Sequence, residues 1–116
     1  MKFMLLIYGS DQATGRASEA ETKQVADAYE AFTQSIRQSG SFLDGDPFHP
    51  AMSAVTVRAP SGQTEITDGP AVTGDPQLQA YYKIQATSRD EAVEMASRVP
   101  GARFGSVEVR QIPEFD

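Results

Sequence analysis

Two side chains in this chain are suited to moving protons. Asp68 stands before Gly69-Pro70 at the end of a β-rich run, and His49, the one histidine, lies between Phe48 and Pro50. A carboxylate sheltered from water and set beside other carboxylates has its pKa pushed toward neutrality, where it can serve as a general base. An imidazole exchanges protons near neutral pH without such help. Together Asp68 and His49 could form an acid–base dyad. Each also has a plain structural reading: Asp68 opens a turn, its carboxylate accepting a hydrogen bond from the backbone two residues on, and His49 caps a loop.

A second set of residues could hold a ligand. In the final segment Glu108 and Arg110 alternate with Val107 and Val109, which puts the charges on one face of a strand and the valines on the other. Tyr8, Arg58, Tyr82 and Arg103 extend the set, because arginine grips a planar carboxylate and tyrosine offers a ring with a hydroxyl. The alternative is an ion-pair network of Glu108 with Arg110 or Arg58 at an interface, since an unpaired buried charge costs several kcal/mol. Tyr29 and Phe32 read as core.

Other chemistries are disfavoured. The chain has no cysteine, hence no thiol nucleophile, disulfide or Cys-based metal site. A lone histidine without paired-ligand spacing gives no expectation of a metal. Gly62, Gly69 and Gly74 are isolated turn glycines rather than a phosphate loop, and no Gly-x-Ser-x-Gly elbow occurs, so neither a nucleotide cofactor nor serine hydrolysis is expected. A net charge of −6 without a Lys/Arg cluster argues against a nucleic-acid partner. The apolar run at residues 3–7 is too short for a membrane span and is not followed by a small-residue cleavage pattern; the expected location is cytoplasmic.

The elements that must position these groups are readable from periodicity. With 116 residues, 40% of them hydrophobic, the chain fits one domain over residues 1–116. Residues 2–8 are almost continuously apolar, which predicts a central strand buried on both faces. Ser18-Glu19-Ala20-Glu21 has capping-box spacing. Val25, Ala28, Tyr29, Phe32 and Ile36 then recur on one helical stripe, and Gly40 supplies the stop. Residues 54–58 and 64–67 flank Pro60-Ser61-Gly62 and read as a hairpin; residues 71–76 read as a loop. Residues 78–86 form a further strand, Ser88-Arg89-Asp90-Glu91 repeats the capping spacing before a second helix, and residues 106–112 form the last strand. The order is strand, helix, strand or hairpin, strand, helix, strand. It predicts a ferredoxin-like α+β sandwich, an antiparallel sheet with two helices on one face. Two helices cover one face only, so an apolar second face calls for a second subunit.

Thr67-Asp68-Gly69-Pro70 and Gly105-Ser106-Val107-Glu108-Val109-Arg110, with residues 2–8 and Tyr81-Tyr82-Lys83-Ile84 in order between, resemble the YCII-related family, in particular its DGPF branch. That branch carries Asp-Gly-Pro-Phe-Ala-Glu-Thr-Lys-Glu in mid-chain and ends in Gly-x-Val-Glu-Val-Arg-Pro. Here Ala71-Val72-Thr73-Gly74-Asp75-Pro76 follows Pro70, so the signature's Glu and Lys are absent and no role of theirs carries over. The resemblance implies a homodimer whose sheets pack face to face into a dimeric α+β barrel, and a small organic molecule as ligand or substrate. It also admits a non-enzymatic, regulatory role beside an alternative sigma factor.

Overall fold

The computed structural model describes residues 1–115. Strand β1 (Lys2–Gly9) alternates: Phe3, Leu5 and Ile7 are fully buried on one side, while Met4, Leu6 and Tyr8 are half-buried on the other. The second face is therefore less enclosed within one chain than the run of apolar residues suggests. A short helix α1 (Asp11–Gly15), where the sequence reading placed no element, starts at Ser10, whose hydroxyl accepts from the Ala13 amide at 3.1 Å.

Helix α2 (Glu19–Gln38) begins with the expected capping box. The Ser18 hydroxyl accepts from Glu21 N and the Glu21 carboxylate accepts from Ser18 N, both at 3.1 Å. These bonds hold the Glu21 carboxyl below its usual range. At the far end Gly40, with φ at +78°, closes a Schellman turn in which Ser41 N donates to Ile36 O at 2.9 Å. Phe32 and Ile36 on this helix are buried and Tyr29 is half-buried, but Val25 and Ala28, expected on the same buried stripe, are exposed.

The sequence reading gives the second sheet position to the hairpin. The structure gives it to β2 (Phe42–Pro47), and the hairpin, β3 (Val55–Arg58) and β4 (Glu65–Asp68), forms a separate two-stranded ladder. β2 is hidden in the sequence by Asp44-Gly45-Asp46-Pro47, which looks like a turn. Such residues are tolerated because β2 is an edge strand that pairs with β5 alone. β5 (Gln77–Gln85), α3 (Arg89–Ser97) and β6 (Ser106–Ile112) complete the domain. At α3 the Ser88 hydroxyl accepts from Glu91 N, but the Glu91 carboxylate turns to the Thr87 hydroxyl at 2.6 Å instead of closing a second capping box.

The main sheet is antiparallel with strand order β2-β5-β1-β6, and α2 and α3 lie on one face: the fold is ferredoxin-like α+β. Its core joins Phe3, Leu5 and Ile7 of β1 and Ile84 of β5 to Phe32 and Ile36 of α2 and Ala92, Met95 and Ala96 of α3. The radius of gyration is 16.1 Å, against about 13 Å for a compact chain of this length. A two-layer body and a hairpin that packs mainly on itself account for the excess.

Candidate functional site

The two faces of the sheet carry different chemistry. On the face away from the helices, cross-strand register brings Leu6 beside Glu108 and Tyr81, and Met4 beside Arg110 and Lys83. Tyr8 donates its hydroxyl hydrogen to Glu108 Oε1 at 3.4 Å, and Arg110 Nη1 lies 3.7 Å from Glu108 Oε2. Three of the residues read as ligand-binding, Tyr8, Glu108 and Arg110, thus come together. They do so as an ion pair open to solvent, and pairs of that kind contribute about 0–1 kcal/mol.

At the β2 edge of the same face, the Tyr81 hydroxyl lies 3.1 Å from Asp46 Oδ2 and 3.2 Å from Asp44 Oδ2, so two carboxylates share one donor. The Phe48 ring stacks on Tyr81 with centroids 5.8 Å apart. Desolvation first, then the hydrogen bonds to Asp46 and Asp44 and their charges, push the Tyr81 phenol up to about 12. Burial also raises Tyr29 and Tyr82. A folded pKa above the ordinary value means that the protonated phenol is favoured by folding. The stability it contributes is complete below about pH 10 and is lost as pH rises through the folded value. Ultraviolet titration of tyrosinate should therefore show Tyr29, Tyr81 and Tyr82 ionising late. Tyr81→Phe should remove one of these late steps and flatten the alkaline fall in stability.

A pocket of about 490 Å³ lies on the face toward the helices, between α2, α1, β2 and the segment after it, and reaches round the β2 edge to Asp46, Phe48 and Tyr81. Its floor is Ile7 and Ala80, paired neighbours on β1 and β5; its walls are Tyr29 and Thr33 of α2, Phe42 of β2, Phe48 and Tyr82. Tyr82 is buried, its hydroxyl 2.7 Å from Thr33 Oγ1 and its ring edge-on to Phe32 and Phe42. Gly45 makes room for that ring: a Cβ there would stand 2.7 Å from Tyr82 Cδ1. Tyr29 accepts at its hydroxyl from Gly101 N at 3.1 Å.

At the α1 end the Asp11 carboxylate accepts from Ala51 N at 2.9 Å and from Gln79 Nε2 at 3.0 Å. It ties the short helix to the segment after β2 and to the irregularity in β5. At the other end the Arg37 guanidinium lies 4.5 Å from the Phe42 ring centroid. Such a pocket, mostly apolar with a few polar groups converging on it, is the usual form of a small-molecule site.

The other residues read from sequence lie apart from it. Asp68 ends β4 opposite Val55 and His49 follows β2; both are exposed, and neither lines the pocket. Among the described residues neither side chain has a hydrogen-bond or ion-pair partner. The turn bond expected of the Asp68 carboxylate is not made, because the residue two on is Pro70, which has no N–H. Gly69 N instead donates to Ala54 O at 2.7 Å, and Thr56 Oγ1 donates to Gly69 O at 2.8 Å. Arg58 stands exposed opposite Glu65 in the hairpin, away from Glu108, and Arg103 is exposed beyond α3. Of the ligand-binding set only Tyr82 lines the pocket.

Asp11, Thr33, Arg37, Phe42 and Gln79 were not singled out in sequence. The signals available were Ser10-Asp11 as a helix start and the i, i+4 spacing of Thr33 and Arg37 beside the apolar stripe. Among the described residues no cluster of three or more His, Asp or Glu side chains could hold a metal ion, and no helix is long and apolar enough to cross a membrane.

The class defined by this fold and site is a small ferredoxin-like α+β domain with an apolar pocket between one helix and the sheet edge. The YCII-related domain model matches residues 1–116, and the chain belongs to that family. It is similar, at 29% identity over 114 residues covering 97% of this chain and 92% of the other, to an uncharacterized protein of Rhizobium meliloti (strain 1021).

Proposed function

We propose that this YCII-related protein binds a small organic molecule in the pocket between α2 and the β2–β5 edge. One observation carries the reading: a recess of about 490 Å³ is walled by aromatic rings and reached by the Thr33 and Tyr82 hydroxyls. That volume falls within the range of about 300–1,000 Å³ usual for ligand pockets. An acid–base role for Asp68 with His49 has weaker support, since both are exposed and outside the recess. Membership of the DGPF branch is part of the proposal and rests on Asp68-Gly69-Pro70 and the Gly105–Arg110 ending.

The homodimer is proposed as well. The half-buried row of Met4, Leu6 and Tyr8 on the helix-free face supports a second copy on that face.

A thermal-shift screen of metabolites against wild type, Ala80→Phe and Asp68→Asn tests the pocket. Ala80 lies on the pocket floor beside Ile7, so phenylalanine there fills the space from the sheet side. A ligand at about 100 times its Kd should add roughly 2.7 kcal/mol of stability. Hits shared by wild type and Asp68→Asn but lost in Ala80→Phe are expected. Hits lost in Asp68→Asn and kept in Ala80→Phe would overturn the assignment.

A second reading, a regulatory module beside an alternative sigma factor, is favoured by one feature. Val55, Val57 and Ile66 on the hairpin are 57%, 62% and 69% exposed, an apolar surface with nothing packed on it. Loss of a co-purifying partner on changing Val57 and Ile66 to serine would support this reading. A wild-type pull-down without a partner, beside a clear pocket ligand, would remove it.

A further inference from the structure

We infer that the ligand of this pocket is a carboxylic acid on a flat apolar or aromatic body, with its carboxylate held by Arg37 at the end of the recess; this rests on the proposed pocket being a ligand site. Three charged residues line the recess: Asp11, Asp46 and Arg37. Asp11 is already committed through both oxygens, to Ala51 N and Gln79 Nε2. Asp46 accepts from the hydroxyl of Tyr81, which lines the recess beside it. Neither acid therefore needs a cationic ligand to satisfy it.

Arg37 is different. Among the described residues its guanidinium has no carboxylate within ion-pair distance and no hydrogen-bond acceptor; Lys2, Arg16, Arg58, Lys83, Arg89 and Arg103 share that lack, but Arg37 is the one cation that lines the recess. Its protein contact is the Phe42 ring, 4.5 Å below. A guanidinium stacked on an aromatic face is held in orientation while its N–H edge stays available, and that edge matches a carboxylate in two parallel hydrogen bonds. Thr33, one helical turn before Arg37, and Tyr82 share a hydroxyl hydrogen bond at 2.7 Å, which leaves acceptor and donor capacity beside the same end of the recess. Most of the remaining lining is apolar, with the rings of Tyr29, Phe42, Phe48 and Tyr82 around Ile7 and Ala80, so the part of the ligand beyond its carboxylate is apolar and, to lie against those rings, planar.

The test uses probes matched in size and shape, in which an amide replaces the carboxylate and removes its charge: indoleacetate and indoleacetamide, with benzoate and benzamide as a smaller pair. Affinities are measured by titration calorimetry and by amide shifts in NMR on the full chain. Wild type should bind each acid about tenfold more tightly than its amide, the size of one charge-assisted contact at a half-open site. Arg37→Gln should erase that preference while leaving amide affinity unchanged, and Arg37→Lys should restore only part of it. Ala80→Phe should lose both members of each pair. Equal binding of acid and amide by wild type, or a preference that survives in Arg37→Gln, would overturn the carboxylate assignment and leave the pocket standing. Binding of neither acid nor amide would remove the aromatic-pocket reading and this inference with it.

Discussion

Leu5→Ala is expected to lower the free energy of unfolding by about 3–4 kcal/mol, within the range for fully buried leucines whose cavity cannot collapse. Leu5 has no exposed surface and sits at the centre of β1, where it meets the core contributed by α2, α3 and β5. Against a total stability of about 5–15 kcal/mol such a loss is a large share. It should appear as a fall in melting temperature of roughly 10–20 °C, independent of protein concentration.

Its neighbour Leu6 points the other way. Leu6→Ala should cost the isolated chain less than about 1 kcal/mol, because truncating a half-exposed side chain leaves little cavity. If a second copy covers the open face, Leu6→Ala should also shift sedimentation equilibrium toward monomer, and its stability cost should grow with protein concentration. An equal, concentration-independent cost for both variants would contradict the two-faced reading of β1.

Gly105→Ala is expected to destabilise by about 2–3 kcal/mol, the upper part of the usual overpacking range. Gly105 lies where the chain passes from the turn at Pro100–Arg103 into β6, and its N–H donates to Gly101 O at 2.9 Å. A Cβ there would run into the carbonyl oxygen of Tyr8 and stand 3.2 Å from Gly9 Cα. These are backbone atoms of a paired strand, so nothing flexible can give way. Relief requires breaking the Tyr8–Ser106 pairing that starts the β1–β6 ladder. Gly15→Ala is the control: a Cβ there meets nothing within 4 Å, and a change of less than about 1 kcal/mol, in the stabilising direction, is expected. Chemical denaturation of the two variants separates close approach from a general cost of losing glycine.

Much of the scaffold is legible in the sequence because local chemistry and packing agree there. The Ser18–Glu21 box, Gly40 and the alternation of β6 each specify structure over a few residues, and each appears as read, whereas of the stripe Val25, Ala28, Tyr29, Phe32 and Ile36 only the last two are buried and Val25 and Ala28 are exposed. β2 was not legible, since an edge strand has one partner and can be built from Asp, Gly and Pro. The hairpin 54–67 was legible as a hairpin but not in its placement, because nothing local distinguishes a strand that joins the main sheet from one that pairs only with its neighbour.

The pocket was the least legible part. Asp11, Thr33, Arg37, Phe42 and Gln79 come from four elements and meet only after the sheet has formed, so no spacing along the chain announces them. Asp68 drew attention through its motif, yet its motif glycine and proline shape a hairpin end. In the other motif, the need for Gly105 is explained by the approach of the Tyr8 carbonyl.

A crystal structure of the protein grown with its strongest thermal-shift hit would show whether the recess between α2 and the β2–β5 edge is the ligand site. Density is expected against Tyr29, Thr33 and Phe42, above Ile7 and Ala80, with an acidic group of the ligand at Arg37. Density on the open sheet face beside Glu108 and Arg110, or along the hairpin at Asp68, with the recess filled by solvent, would contradict that assignment.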